Sequence, residues 1–229
     1  MTTDLAASPG TAQVWAAIEH VYEAILVHPF MTGLTDGTLP REAFGRFLVQ
    51  DGLYLAEYAR SLALCAARAG DHETLLMFAQ HASTAVQVEQ ALHGALLDEL
   101  GIAREAARAA EMSPVCLAYT SFTKQACALG ERHEALASVL PCYWIYGQAG
   151  KHLVATGSPD PLYQRWIDTY AGEEFDQAVQ GALGAVDEAA RGLDGPARAA
   201  MVRHAAIAAR YEWMFWDSPY RGEAWPITV

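Results

Sequence analysis

Basic residues are scarce in this chain. Lys and Arg total 15 against 27 acids in 229 residues, a formal net charge of −12, and no basic run interrupts that balance. Nucleic acid and anionic membrane surfaces are therefore excluded as main partners. Long apolar runs are absent too: none reaches the ~18 residues that span a bilayer. The stretch Met1 to Gly10 lacks the basic-then-apolar order of a signal peptide, so a cytoplasmic location is expected. Cysteine is sparse, with Cys65, Cys116, Cys127 and Cys142 scattered and no CxxC pair or zinc-type spacing, which suits reduced thiols. No Glu-x-x-His occurs, which argues against a carboxylate-bridged di-iron bundle. No Gly-rich phosphate loop follows a strand, so nucleotide hydrolysis is not expected. Neither an internal repeat nor a linker divides the chain, and residues 1–229 read as one domain.

What is present is apolar and helical. Hydrophobic residues make up 52% of the chain, enough for a sizeable core, and alanine is abundant. Periodicity predicts a first helix from Thr11 to Val27, with Val14, Ile18, Val21, Tyr22 and Ile25 on one stripe. His28-Pro29-Phe30 ends it, and Met31 to Leu39 reads as a turn-rich connection because of Gly33 and Asp36-Gly37. A long helix from Pro40 to Arg68 carries Phe44, Phe47, Leu48, Leu55, Tyr58 and Leu62 on its apolar face. A third is expected from His72 to Leu100, and a short Ala- and Arg-rich one after Gly101. Ser113-Pro114 opens the next, which ends near Gly130, and another runs from Arg132 to Ala155. Leu162 to Tyr170 is short and capped by Ser158 or Asp160. A further helix restarts at Ala171 to Phe175, closes at Gly192 to Pro196, and is followed by the last, from Pro196 to Trp216. Helices joined by short turns imply an all-α bundle.

Several polar groups break this pattern. Asp51 falls on the apolar stripe of the long helix, with Tyr54 three residues on, and Glu212 falls in line with Met201, Ala205, Ala208 and Phe215 on the last. A carboxylate facing a core is costly unless paired, so each is either a structural group with a donor or part of a site. Cys142 follows Pro141 in a segment that otherwise reads as helix, and Tyr146 shares its face. Pro141 is expected to kink the helix there and present the thiol. A reactive thiol in an aromatic pocket and a buried core cysteine both fit these residues. The inward set suits covalent catalysis on a flat, nitrogen-rich ring. Cysteine supplies the nucleophile, a carboxyl with a raised pKa supplies acid and base, and a second carboxylate orients ring amino groups. Elsewhere, Glu89 and His93, one turn apart, read either as a metal pair or as a hydrogen-bonded polar pair. His20 on the first helix is the candidate ligand for haem chemistry in a rival reading, and a non-enzymatic bundle is another.

In order along the chain stand His28-Pro29-Phe30, Asp36-Gly37-Thr38-Leu39, Gln50-Asp51 with Tyr54, and Glu57-Tyr58-Ala59-Arg60. They are followed by Cys142-Tyr143-Trp144-Ile145-Tyr146-Gly147, Trp166 to Tyr170 with Glu173-Glu174-Phe175, and Glu212 with Phe215-Trp216-Asp217. In these residues and their spacing the chain resembles the TenA family of aminopyrimidine aminohydrolases, also called thiaminase II, in its cysteine-containing branch. The resemblance implies a heme-oxygenase-like helical bundle without haem, no cofactor and no metal, assembled as a homotetramer. It also implies hydrolysis of 4-amino-5-aminomethyl-2-methylpyrimidine to the 5-hydroxymethyl compound, and of thiamin at the same methylene. By motif, Cys142 resembles the nucleophile, Glu212 the acid and base, and Asp51 the carboxylate that holds the ring. Tyr54, Tyr119, Tyr146, Tyr170 and Phe215 stand where the family places pocket residues. Gln148 and Ala149 depart from the usual Glu and Ile, which bears on packing or substrate range.

Overall fold

The computed structural model describes residues 9–88, 94–170 and 172–227. Among them the secondary structure is helical throughout, in eleven segments: α1 Pro9–Leu26, α2 Pro29–Asp36, α3 Arg41–Ala67, α4 His72–Val88, α5 Gly94–Glu99, α6 Arg104–Arg108, α7 Pro114–Leu129, α8 Arg132–Thr156, α9 Pro161–Asp168, α10 Glu173–Ala190 and α11 Gly195–Arg221. Local chemistry sets the starts. Ser113 accepts from the Cys116 amide, Asp160 from Leu162 and Asp194 from Ala197, each with a proline in the first turn behind it. Glu131 and Glu134 close a capping box ahead of α8. Such caps satisfy amides that a helix start leaves without partners.

The core lies where α8 and α11 pack along each other, with α1 and α10 on one side and α3 and α7 on the other. α4 packs mainly on α3. Trp144, Trp166, Trp216, Phe30, Phe44 and Phe47 are fully buried, and Phe47 stacks on Trp216 at 4.9 Å between ring centroids.

Two expectations need correction. Residues 29–36 form α2 rather than a connection: His28 Nδ1 accepts from the Phe30 amide at 3.0 Å, Pro29 opens the first turn, and Phe30, Met31 and Leu34 bury one face. Gly33 is there for close approach, since a Cβ would sit 3.1 Å from Leu39; Gly37, with φ of 78°, makes the turn. The last helix continues past Trp216 to Arg221, with Pro219 inside it and Gly222 closing it in the left-handed region. The helix expected from His72 to Leu100 is described as α4 and α5, and Glu89 and His93 between them lie outside the described residues. α8 is one continuous helix across Pro141, and Cys142 and Tyr146 lie four residues apart on its face.

Candidate active site

α3 projects Asp51, Tyr54 and Tyr58 from one face, positions i, i+3 and i+7, and all three are buried. α7 brings Tyr119, α8 brings Cys142 and Tyr146, and α11 brings Glu212 and Phe215. Tyr170 follows the end of α9. Tyr58 apart, these are the eight residues singled out from the sequence, and they meet in one cluster inside the bundle.

Its electrostatics are those of a buried cluster. Glu212 is 1% exposed, and burial, reinforced by the charge of Asp51, raises its carboxyl from the ordinary 4.5 to about 8. The Tyr119 hydroxyl opposes that rise by donating to Glu212 Oε1 at 2.5 Å. At neutral pH Glu212 is thus mostly protonated, a carboxylic acid with a proton to give. Burial pushes the Cys142 thiol well above its ordinary range, and the Glu212 and Asp51 charges push the same way. The Tyr54 and Tyr58 hydroxyls oppose them, and Tyr58 donates to the Val139 carbonyl at 2.9 Å. The Tyr54 hydroxyl is buried without a hydrogen-bond partner of ordinary geometry, although it stands near enough to the sulfur to favour the thiolate.

Tyr146 and Tyr170 form another wall, with ring centroids 5.9 Å apart. Burial and then the Asp51 charge hold both phenols well above their usual range, so they remain hydrogen-bond donors. Phe215 packs on Tyr54 at 5.2 Å, and Trp216 on Tyr146 at 5.2 Å. Asp51 is 6% exposed, while Cys142, Tyr146 and Tyr170 keep partial exposure. Gly150 lets Tyr170 in: a Cβ there would come within 2.6 Å of the Tyr170 Cβ.

Sequence reasoning passed over three residues. Tyr58 was assigned to the apolar stripe, although its spacing of four from Tyr54 puts it on the face that carries Asp51. Tyr143, beside Cys142 in the chain, is buried and feels the thiol's charge. His81 on α4 bonds the Tyr143 hydroxyl at 2.9 Å, and no motif marks it. Gln148 is half-buried and Ala149 sits in the core. His20 is exposed on α1. Among the described residues no three His, Cys, Asp or Glu side chains are gathered to hold a metal ion.

A buried acid beside a half-buried thiol, walled by aromatic rings and faced by a second carboxylate, can add sulfur to a flat heterocycle while protonating one of its nitrogens. The chain is similar to several known proteins. A Bacillus subtilis protein named aminopyrimidine aminohydrolase is 37% identical over 204 residues, covering 89% of this chain and 86% of its own. One of the same name from Halalkalibacterium halodurans is 34% identical over 216 residues, 93% and 96% of the two chains. The solved TenA homologue from P. horikoshii superposes with a TM-score of 0.85 at 27% identity, covering 93% of this chain and 99% of that one. A Shewanella denitrificans domain with a heme oxygenase-like fold superposes at 0.72 with 13% identity, covering 93% and 92%, and shares the fold alone. With the model of the TENA/THI-4/PQQC family matching residues 15–222, this chain belongs to that family.

Proposed function

We propose that the protein is an aminopyrimidine aminohydrolase of thiamin salvage. It hydrolyses 4-amino-5-aminomethyl-2-methylpyrimidine to 4-amino-5-hydroxymethyl-2-methylpyrimidine and ammonia, and cleaves thiamin at the same methylene. The names of the bacterial relatives support the reaction. The observation that carries it in this chain is Glu212, buried, titrating at about 8 and set beside Cys142 and Asp51.

In this reading Cys142 adds through sulfur to the ring carbon next to C5 as Glu212 gives its proton to a ring nitrogen. The electron pair gained by the ring then expels the amine from the 5-methylene, breaking the C–N bond. Water adds to that methylene, the C–S bond breaks and the ring regains its aromaticity. One difficult displacement becomes two easier steps. Asp51 accepts from the ring amino group and holds orientation, while Tyr54, Tyr119, Tyr146, Tyr170 and Phe215 line the ring or bond the catalytic groups. Burial keeps bulk water from the adduct. Tyr54 supports the reading as well: a buried hydroxyl without a partner costs about 1–3 kcal/mol, and a bound pyrimidine would complete it.

The whole chain acts as one domain in the cytoplasm, as a homotetramer. Exposed Leu75, Leu76 and Val86 on α4 supply apolar surface for assembly. Among the described residues no helix is long and apolar enough to cross a membrane. The deciding experiment incubates the protein with the aminomethylpyrimidine and, separately, with thiamin, and measures hydroxymethylpyrimidine. Release from the first supports the reading; absence of turnover on both overturns it.

A further inference from the structure

Tyr119 and Glu212 meet through one hydrogen bond of 2.5 Å, made between α7 and α11. Six residues before Tyr119 stands Ser113, the cap of α7, and six residues after Glu212 stands Ser218. Both serines are buried, and their hydroxyls pair at 3.3 Å. The two helices are therefore antiparallel and held in one register at two points, about 9 Å apart at ~1.5 Å of rise per residue. Rings also stack between them, Tyr119 on Tyr211 at 5.5 Å and Phe122 on His204 at 5.8 Å. Stacked rings tolerate sliding, since such pairs are favourable at centroid separations of about 4.5–7 Å. A hydrogen bond does not, because it is lost beyond about 3.5 Å.

Around Ser113 several directed bonds converge. The Ser218 hydroxyl donates to Glu223 Oε2 at 2.7 Å, and the same oxygen accepts from the Val115 amide at 3.3 Å. That carboxylate stands at the start of α7, where the helix dipole favours it. Gly222, with φ of 69°, turns the chain after α11 so that the Glu223 amide returns to the Ser218 carbonyl at 2.9 Å. α3 joins through Gln50, the neighbour of Asp51. Its Oε1 accepts from the Ser113 amide at 2.8 Å, and its Nε2 donates to the Glu111 carbonyl at 3.0 Å. Gln50, Ser113, Ser218 and Glu223 line a surface cleft together with Arg41 and Arg46, and none belongs to the candidate site.

We propose that Gln50, Ser113, Ser218 and Glu223 are positioning residues, whose bonds set the register of α7 on α11 and α3 that brings the Tyr119 hydroxyl onto Glu212. They touch no reacting group and act through Tyr119. Loosening them lengthens the one bond that holds the Glu212 carboxyl down, so its proton is kept to higher pH. Among the described residues, the titratable groups facing Glu212 are Asp51 and Tyr54 from α3, Tyr119 from α7, Cys142 and Tyr146 from α8, and Tyr170 after α9. The kinetic consequence rests on Glu212 being the acid of the proposed reaction; the register does not.

Glu223→Ala and Gln50→Leu test the proposal, with Glu223→Gln as the conservative variant that keeps an acceptor for Val115 and Ser218. Glu212 is titrated by carbon-13 NMR in protein labelled at its glutamate carboxyls, its signal identified by its loss in Glu212→Gln. The pH profile of kcat/KM for the aminomethylpyrimidine is measured beside it, and urea unfolding checks that each variant is folded. The parent carboxyl titrates at about 8. Glu223→Ala and Gln50→Leu are each expected to move that titration and the alkaline limb of kcat/KM up by about half a pH unit or more. Glu223→Gln should restore the parent value, and in a Tyr119→Phe background none of the three should add a shift. Should Glu223→Ala not fold, Gln50→Leu carries the test. Titration at the parent value in the folded variants, or an equal shift in the Tyr119→Phe background, overturns the proposal. A shift seen by NMR in a protein that hydrolyses no pyrimidine overturns the proposed reaction and leaves the positioning role standing.

Discussion

Replacing Glu212 by glutamine is expected to stabilise the fold, by an amount that depends on pH. A carboxyl that titrates at about 8 in the folded chain and at 4.5 when free binds its proton more tightly in the native state. Between those two values the unfolded chain has released the proton while the folded chain still holds it, so stability falls as the pH rises. Below 4.5 both states are protonated and the penalty vanishes; above about 8 both are ionised and it is complete. At 1.36 kcal/mol per pH unit, the gap amounts to about 5 kcal/mol. That is a large fraction of the net stability of a domain, about 5–15 kcal/mol. Glutamine matches the shape of the protonated acid, and its carbonyl can accept the Tyr119 hydroxyl that now bonds Oε1, but it carries no ionisation cost. Urea unfolding of parent and Glu212→Gln at pH 4, 6, 8 and 9, at fixed protein concentration, measures the difference. The expected curve is near zero at pH 4, climbs through pH 6 and levels above pH 8, with a gain in Tm of roughly 10 °C at the plateau. A difference that stays flat from pH 4 to 9 would refute the reasoning, because it would mean that the carboxyl titrates near its ordinary value.

Other changes separate packing from chemistry. Cys142→Ser removes the proposed nucleophile from a position that keeps some exposure; hydrolysis of the aminomethylpyrimidine should fall to background while urea unfolding shifts by less than about 1 kcal/mol. Tyr119→Phe deletes the hydrogen bond that holds the Glu212 pKa down, so the alkaline limb of kcat/KM should move up from about 8 and kcat should fall. Tyr54→Phe removes a buried hydroxyl that has no partner; the fold should be unharmed or gain about 1 kcal/mol, with KM raised. Gly150→Ala places a Cβ within 2.6 Å of the Tyr170 Cβ. Although alanine is the better helix former, this crowding should cost about 1–3 kcal/mol by urea unfolding and raise KM by displacing Tyr170.

Periodicity finds long helices well, since a stripe such as Val14, Ile18, Val21 and Ile25 has one physical meaning. It misses α2 because Gly33 and Gly37 look alike in sequence. Only the second has a positive φ, while the first is small so that Leu39 can return against it and bond its carbonyl at 3.0 Å. Asp51 and Glu212 are legible because a charge on an apolar stripe contradicts its surroundings. Tyr58 and Tyr143 are not, because a tyrosine fits a buried stripe whether or not its hydroxyl is used. His81 lies further out of reach, since its partner is 62 positions away and only the packing of α4 on α3, beside α8, brings them together. Pro141 ends no helix: α8 runs across it with its flanks Val139, Leu140 and Tyr143 buried in the core.

Those two carboxylates also bear on how the bundle tolerates its site. Each ionised carboxyl raises the cost of the other groups in the pocket: Asp51 pushes up Glu212, Tyr146 and Tyr170, and Glu212 pushes up Cys142 and Tyr119. Relaxation would disperse such strain, so the walls must be stiff. Trp166 backs Tyr170 at 5.0 Å, Trp216 backs Tyr146 at 5.2 Å, and Phe47 lies against both tryptophans, 5.6 Å from Trp166 and 4.9 Å from Trp216. These rings interlock in geometries worth about 0.5–1.5 kcal/mol per pair beyond their burial. They stand directly behind Tyr146 and Tyr170, the two tyrosines that the Asp51 charge pushes up. The aromatic core therefore does more than pack: it keeps the two carboxyls close enough to the thiol and the phenols for each charge to push its neighbours toward their protonated forms.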